Sequence, residues 1–117
     1  MTTLDLPLPP SVNNMFANNP LGGRFRTTAY RRWASDARWS VIAQTPMPRL
    51  VAPPYRVEIE LPRGMRGDIS NRVKAIEDLL VAAGVLEDDR HVVVLLVRRG
   101  ERAPGTCGVH VATERAP

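Results

Sequence analysis

The chain has 117 residues, 44% of them hydrophobic and 24% charged, enough for one compact core without disulfide staples. No apolar run approaches the ~20 residues of a membrane span, and the opening MTTLDLPLPP carries no secretory signal pattern, so the expected compartment is the reducing cytoplasm. The single cysteine, Cys107, excludes an internal disulfide, a zinc finger and an iron–sulfur cluster. The net charge of +4 is carried by the front of the chain: residues 1–52 hold six arginines against Asp5 and Asp36, whereas from residue 53 onward nine arginines and Lys74 balance ten carboxylates. That asymmetry suits a polyanion such as nucleic acid, although many basic proteins bind none.

Residues 2–8 alternate apolar and polar around Leu4, Leu6 and Leu8, the pattern of a half-buried strand, and Pro9 and Pro10 stop it. Residues 11–27, with four asparagines, a proline and two glycines, read as a loop ending in Arg24 and Arg26. Thr27 or Thr28 can cap a helix over about 29–44, with Tyr30, Trp33, Ala34, Ala37, Val41 and Ile42 near helical spacing. Four prolines make 45–54 a connection, and residues 55–61 alternate cleanly as a strand with Tyr55, Val57, Ile59 and Leu61 on one face.

After the basic loop RGMRGD a second helix is predicted over about 70–83, closed by Gly84. Its apolar face carries Ile69, Val73, Ile76, Leu79, Leu80 and Ala83, and its polar face Ser70, Asn71, Lys74, Glu77 and Asp78. The unbroken apolar run HVVVLLV, 91–97, predicts a strand buried on both faces, and 108–114 a last strand at an edge. The tail, 114–117, is expected to fray. The order β-α-β-α-β-β implies an α/β fold of α+β two-layer type, a mixed sheet with two main helices packed on it, forming one domain over 1–117.

The segment 67–92, GDISNRVKAIEDLLVAAGVLEDDRHV, concentrates the chemistry. Asp68 precedes the helix, Asn71, Lys74 and Asp78 form a stripe along it, and Asp88 and Asp89 occupy the turn that follows. Taken singly, each has an ordinary structural use: a helix cap, an i,i+4 ion pair, a solvated turn. Taken together, carboxylates brought to one place repel unless a cation joins them, and hard oxygen ligands of this kind select Mg²⁺ or Mn²⁺. Such a cation serves phosphodiester hydrolysis, but also polymerases and phosphatases. Of the 16 basic residues 15 are arginine, and the lone lysine, Lys74, falls inside this segment. A compact ammonium at that position suits a role that a planar guanidinium would not fill.

The segment resembles the signature of the RusA family of Holliday-junction resolvases: D-x-D-N, a lysine three residues on, then an Asp, a Gly and an Asp-Asp pair. Here these are Asp68-Ile69-Ser70-Asn71, Lys74, Asp78, Gly84 and Asp88-Asp89. The proline-rich opening LPLPPSVNNMF and the helix start Thr-Thr-Ala-Tyr-Arg at 27–31 are also similar to the family's. The resemblance implies a small, dimeric, Mg²⁺-dependent endonuclease that resolves four-way DNA junctions by paired symmetric nicks, in recombination and repair. It implies Asp68, Lys74 and Asp89 as catalytic residues, with Asp68, Asp88 and Asp89 as metal ligands. Ser70 stands where the pattern has its second Asp, and can serve only as a neutral ligand or as a holder of water. Phosphate contacts are expected from Arg24, Arg26, Arg31, Arg32, Arg63 and Arg66, with Asn71 beside them. The carboxylates of Asp68 and Asp89 are expected on the order of 4–6 Å apart. Two further readings fit the residues: a junction- or RNA-binding module whose serine has cost it the metal site, and a basic α/β interaction protein whose acids are merely solvated.

Overall fold

The computed structural model describes residues 1–115; the expected fraying of the tail falls partly on 116–117, outside the described residues. The elements in chain order are β1 (Thr2–Pro7), α1 (Val12–Met15), β2 (Phe16–Asn18), β3 (Arg24–Arg26), α2 (Thr28–Gln44), β4 (Tyr55–Pro62), α3 (Ile69–Ala82), a 3-10 turn at Asp89–His91, β5 (Val92–Gly100) and β6 (Thr106–Thr113). The six predicted elements are all present, and the architecture is the expected mixed sheet with helices. The loop expected at 11–27 is more ordered than its composition suggests. It holds one helical turn and a small antiparallel hairpin, in which Phe16 pairs with Arg26 and Asn18 with Arg24.

The main sheet has the order β1-β6-β4-β5. β6 runs antiparallel to both β1 and β4, and β4 runs parallel to β5. A parallel pair needs a crossover, and α3 supplies it. Period-two alternation sends Leu4 and Leu6 of β1, Val57, Ile59 and Leu61 of β4, and Cys107, Val109 and Val111 of β6 into one core. Tyr30, Trp33, Ala37 and Val41 of α2 meet them there, with Val73, Ile76, Leu79 and Leu80 of α3. Burial pushes the Cys107 thiol up to about 12, so it is an inert core side chain. Among the described residues no helix is long and apolar enough to cross a membrane.

Two expectations about strand position are corrected. The last strand, β6, is not at an edge; it lies in the middle, between β1 and β4. The apolar run of β5 is not buried on both faces; it forms the outer edge next to β4, with Val93 60%, Leu95 42% and Leu96 46% exposed. The reason is topological. The crossover through α3 sets β5 down outside β4, and the chain then returns over β4 to insert β6 on its other side. A run of Val and Leu reads the same whether another strand of its own sheet covers it or none does.

Candidate active site

α3 is placed by its N-terminus. Asp68 caps it, its Oδ1 accepting the Ser70 backbone N–H at 2.7 Å, while Asn71 Nδ2 donates to Oδ2 at 2.5 Å. A carboxylate there also sits at the positive end of the helix dipole. The loop leading into the cap is fixed by a residue the sequence reading passed over. Arg72 is buried, and its Nε donates to the Pro9 carbonyl at 3.1 Å and its Nη1 to the Arg66 carbonyl at 2.5 Å. Burial, followed by the neighbouring charge of Arg99, lowers its pKa. Arg99 holds the same loop by donating to the Met65 carbonyl at 2.5 Å. Two guanidinium groups therefore tie the RGMRGD loop, and with it Asp68, to α3 and β5. The one sequence clue to Arg72 was a charge on the flank of the helix's apolar face.

Lys74 projects from the exposed side of α3 and joins two carboxylates: Asp89 Oδ2 at 2.6 Å and Asp78 Oδ1 at 3.1 Å. The predicted i,i+4 pair is thus made, and the helix and the following turn meet through Lys74 and Asp89. Hydrogen bonds donated to Asp89 and then to Asp78 raise the Lys74 pKa, so the ammonium stays charged. The same bond from Lys74 holds the Asp89 carboxyl below its ordinary value. Half-buried Glu77, missed as a site residue, completes the cluster. Burial raises its pKa, and the charge of Asp89 raises it further. Its position three residues from Lys74 on one helix face was the available signal. Asp88 caps the 3-10 turn, accepting from the Arg90 backbone N–H at 2.9 Å.

Asp68 lies six residues N-terminal to Lys74, ~9 Å of helix rise away, and its oxygens are taken up by the cap. Ser70 is exposed beside it. Among the described residues no three His, Cys, Asp or Glu side chains gather to hold a metal ion. At Asp78 and Asp89 the countercharge is the Lys74 ammonium. The donor set of Asp68, Asp88, Asp89 and the Ser70 hydroxyl is oxygen-only, which fits a hard divalent cation in kind.

The expected phosphate-binding arginines fall on two sides. Arg24 and Arg26 are exposed on β3, their guanidinium groups lying over the Phe16 ring at 4.7 Å and the Tyr30 ring at 5.1 Å. Arg31 donates to the Arg26 carbonyl at 3.0 Å, and Arg32 is exposed on α2. Arg63 pairs with Glu101 at 3.3 Å, and Arg66 is exposed. A groove of about 550 Å³ between α2 and α3 reaches from Arg26 to Asp78. Arg26 of β3 and Arg38 and Trp39 of α2 line one side, and Asp78 of α3 the other. Trp39 is 68% exposed there.

No curated protein is similar enough to be matched. The family described as endodeoxyribonuclease RusA matches residues 7–112 of the 117, a span that contains Asp68, Lys74, Asp88 and Asp89. The chain belongs to the RusA family of endodeoxyribonucleases.

Proposed function

We propose that this nuclease acts on four-way DNA junctions as a homodimer, placing paired symmetric nicks with the help of Mg²⁺ or Mn²⁺. Asp68, Asp88 and Asp89 would hold the cation, with the Ser70 hydroxyl as a neutral ligand or as the holder of a water. The observation that carries the reading is the 2.6 Å bond between Lys74 and Asp89, which sets a permanently charged ammonium at the meeting point of α3 and the acidic turn. When bound, the cation supplies charge stabilisation on a phosphodiester and a more acidic water. The chain's own groups do the rest. Asp68 is aimed by its cap and by Asn71, on a loop fixed by Arg72 and Arg99. Lys74 can donate to an attacking water or to a phosphoryl oxygen whose charge grows in the transition state. Arg24, Arg26, Arg31 and Arg32, with Arg63 and Arg66 nearer the cap, hold backbone phosphates and so position the DNA without reading its sequence. The groove between α2 and α3 leads a strand from Arg26 past Asp78 to the cluster.

The test is a synthetic four-way junction, incubated with and without Mg²⁺ and mapped strand by strand. The wild type is expected to cut two strands symmetrically, and only with the metal. Asp89→Asn should lose ~100-fold or more in cleavage while still binding the junction in chelator. Ser70→Asp, which restores an anionic ligand at an exposed position, should lower the Mg²⁺ concentration needed without changing which DNA is bound. Cleavage that survives chelation or Asp89→Asn overturns the assigned site. Binding of branched DNA or RNA without cleavage under any divalent metal replaces the reading with a binding module.

A further inference from the structure

The groove between α2 and α3 has an apolar floor and one aromatic wall. Tyr30, Trp33 and Leu79 line it from the buried core. Ala34 and Ser35 on α2 and Ala75 and Ala82 on α3 also line it, and their small size leaves the space between the helices open. Trp39 forms the wall. The buried face of α2 is set by Tyr30, Trp33, Ala37 and Val41. Trp39 lies about 160° round the helix from Ala37, which leaves it 68% exposed. The Trp33 indole donates to the Pro7 carbonyl at 2.8 Å, whereas the Trp39 indole N–H meets no acceptor among the described residues. Charge is divided across the groove. Arg26 and Arg38 stand exposed on one side, and among the described residues neither pairs with a carboxylate. Asp78 stands on the other, 3.1 Å from the Lys74 ammonium.

We infer that this groove holds an unpaired nucleobase of the DNA, stacked on Trp39, with its flanking phosphates on Arg26 and Arg38. The inference rests on the chain's membership of a DNA nuclease family and not on the proposed metal site. Other forms of the same polymer fit less well. A duplex keeps its base faces inside the stack, so it can use the arginines but neither the apolar floor nor the indole ring. A sugar–phosphate strand without bases leaves the same wall uncovered, and Asp78 repels it. An unpaired base meets all three features. Its ring faces stack on an aromatic side chain whatever the sequence. Its Watson–Crick edge carries N–H donors that pairing would otherwise occupy, and the Asp78 carboxylate is an acceptor. Its phosphates supply the countercharge that Arg26 and Arg38 lack. A groove of about 550 Å³ is in the range that encloses a drug-sized molecule, and a nucleotide is of that size. Bases are free in this way at branch points, gaps and frayed ends. The groove therefore adds a preference for opened DNA to phosphate contacts that have none of their own.

The test reads binding in chelator, so it fails separately from the metal and cleavage readings. The probes are a short oligothymidylate, the same oligomer with abasic sites in place of its bases, and a fully paired duplex. The wild type should bind the oligothymidylate about 5- to 100-fold more tightly than the abasic oligomer. Trp39→Ala should lose that factor on the oligothymidylate and keep its affinity for the other two probes. Trp39→Phe should keep most of the affinity but lose the quenching of tryptophan emission, because the remaining indole, Trp33, is buried. Arg38→Gln should weaken both single strands and lower their salt slope by about 0.7. An oligothymidylate that binds the wild type no more tightly than the abasic oligomer overturns the inference, and that comparison needs no variant. A Trp39→Ala loss that is equal on all three probes also overturns it. So does a Trp39→Ala chain whose sedimenting mass falls, which makes this face a contact between copies.

Discussion

β1 and β5 are opposite edges of one sheet, and they differ in what supplies their missing partners. β1 is completed within the chain: Leu4 and Leu6 point into the core, and Gln44 and Trp33 of α2 meet its outward main chain. β5 is only half completed. Val92 and Val97 pack against the core, while Leu95 and Leu96 remain about half exposed. The two edges also stand in different relation to the acidic cluster. β1 is remote from it in the sheet, whereas β5 grows directly out of the turn that carries Asp88 and Asp89.

The largest expected difference lies in a single residue type at the two edges. Leu6→Ala removes a side chain that is 2% exposed, and should cost ~2–5 kcal/mol of unfolding free energy in urea. That cost should not change with protein concentration. Leu96→Ala, at the other edge, should cost the isolated chain under ~1 kcal/mol. Equal costs at both edges would erase the comparison.

Next in size is the polar finish of β1. Gln44→Ala removes two hydrogen bonds at an exposed edge and should cost ~1 kcal/mol. Amide exchange at Asp5 should quicken, while the amides of β6 and β4 keep their protection. Gln44→Glu keeps the shape and the acceptor but cannot donate to the Asp5 carbonyl, so it should fall between the two. An unchanged exchange rate at Asp5 would mean that β1 is protected by its packing alone.

The sequence carried the interior of this sheet better than its borders. Alternation in 55–61 and the apolar stripe of α3 each have a physical period that burial imposes, and both were legible. Strand order is different, because it depends on where a crossover sets a strand down, and no local pattern records that. The run at 91–97 was legible as a strand and misleading about its place. The candidate site divides in the same way. Lys74 and Asp78 share a helix face and their pair was readable from spacing, whereas the contact of Lys74 with Asp89 joins a helix to a distant turn and no spacing records it. Arg72 was not readable, because its partners are the carbonyls of Pro9 and Arg66, and main-chain acceptors leave no mark in a sequence.

The smallest effect separates the tethers of the two edges by charge. β1 is tied to α2 by a neutral amide, Gln44, whereas the entry to β5 is tied to α3 by the ion pair of Asp89 with Lys74. The Asp89 carboxyl is held below the ordinary aspartate value of 3.8 by the Lys74 hydrogen bond. A depressed carboxyl contributes stability that is complete above that ordinary value and is lost as pH falls through the lower, folded one. Lys74 is shifted upward, so its share is complete below the ordinary lysine value of 10.5 and disappears only as pH rises through its folded value in strong alkali. Between those limits the tether is indifferent to pH. Both side chains are partly exposed, so the pair should contribute only ~0.2–1 kcal/mol and weaken in salt. Carbon-13 titration of the Asp89 carboxyl should show a midpoint below 3.8, and Lys74→Met should move it upward, because the remaining burial of the carboxyl acts in that direction. As the pH falls through the Asp89 midpoint, amide exchange at the start of β5 should gain on its intrinsic rate while Asp5 on β1 does not. A midpoint unmoved by Lys74→Met would show that the cap around Asp88 and Arg90, not the ammonium, sets the charge of Asp89.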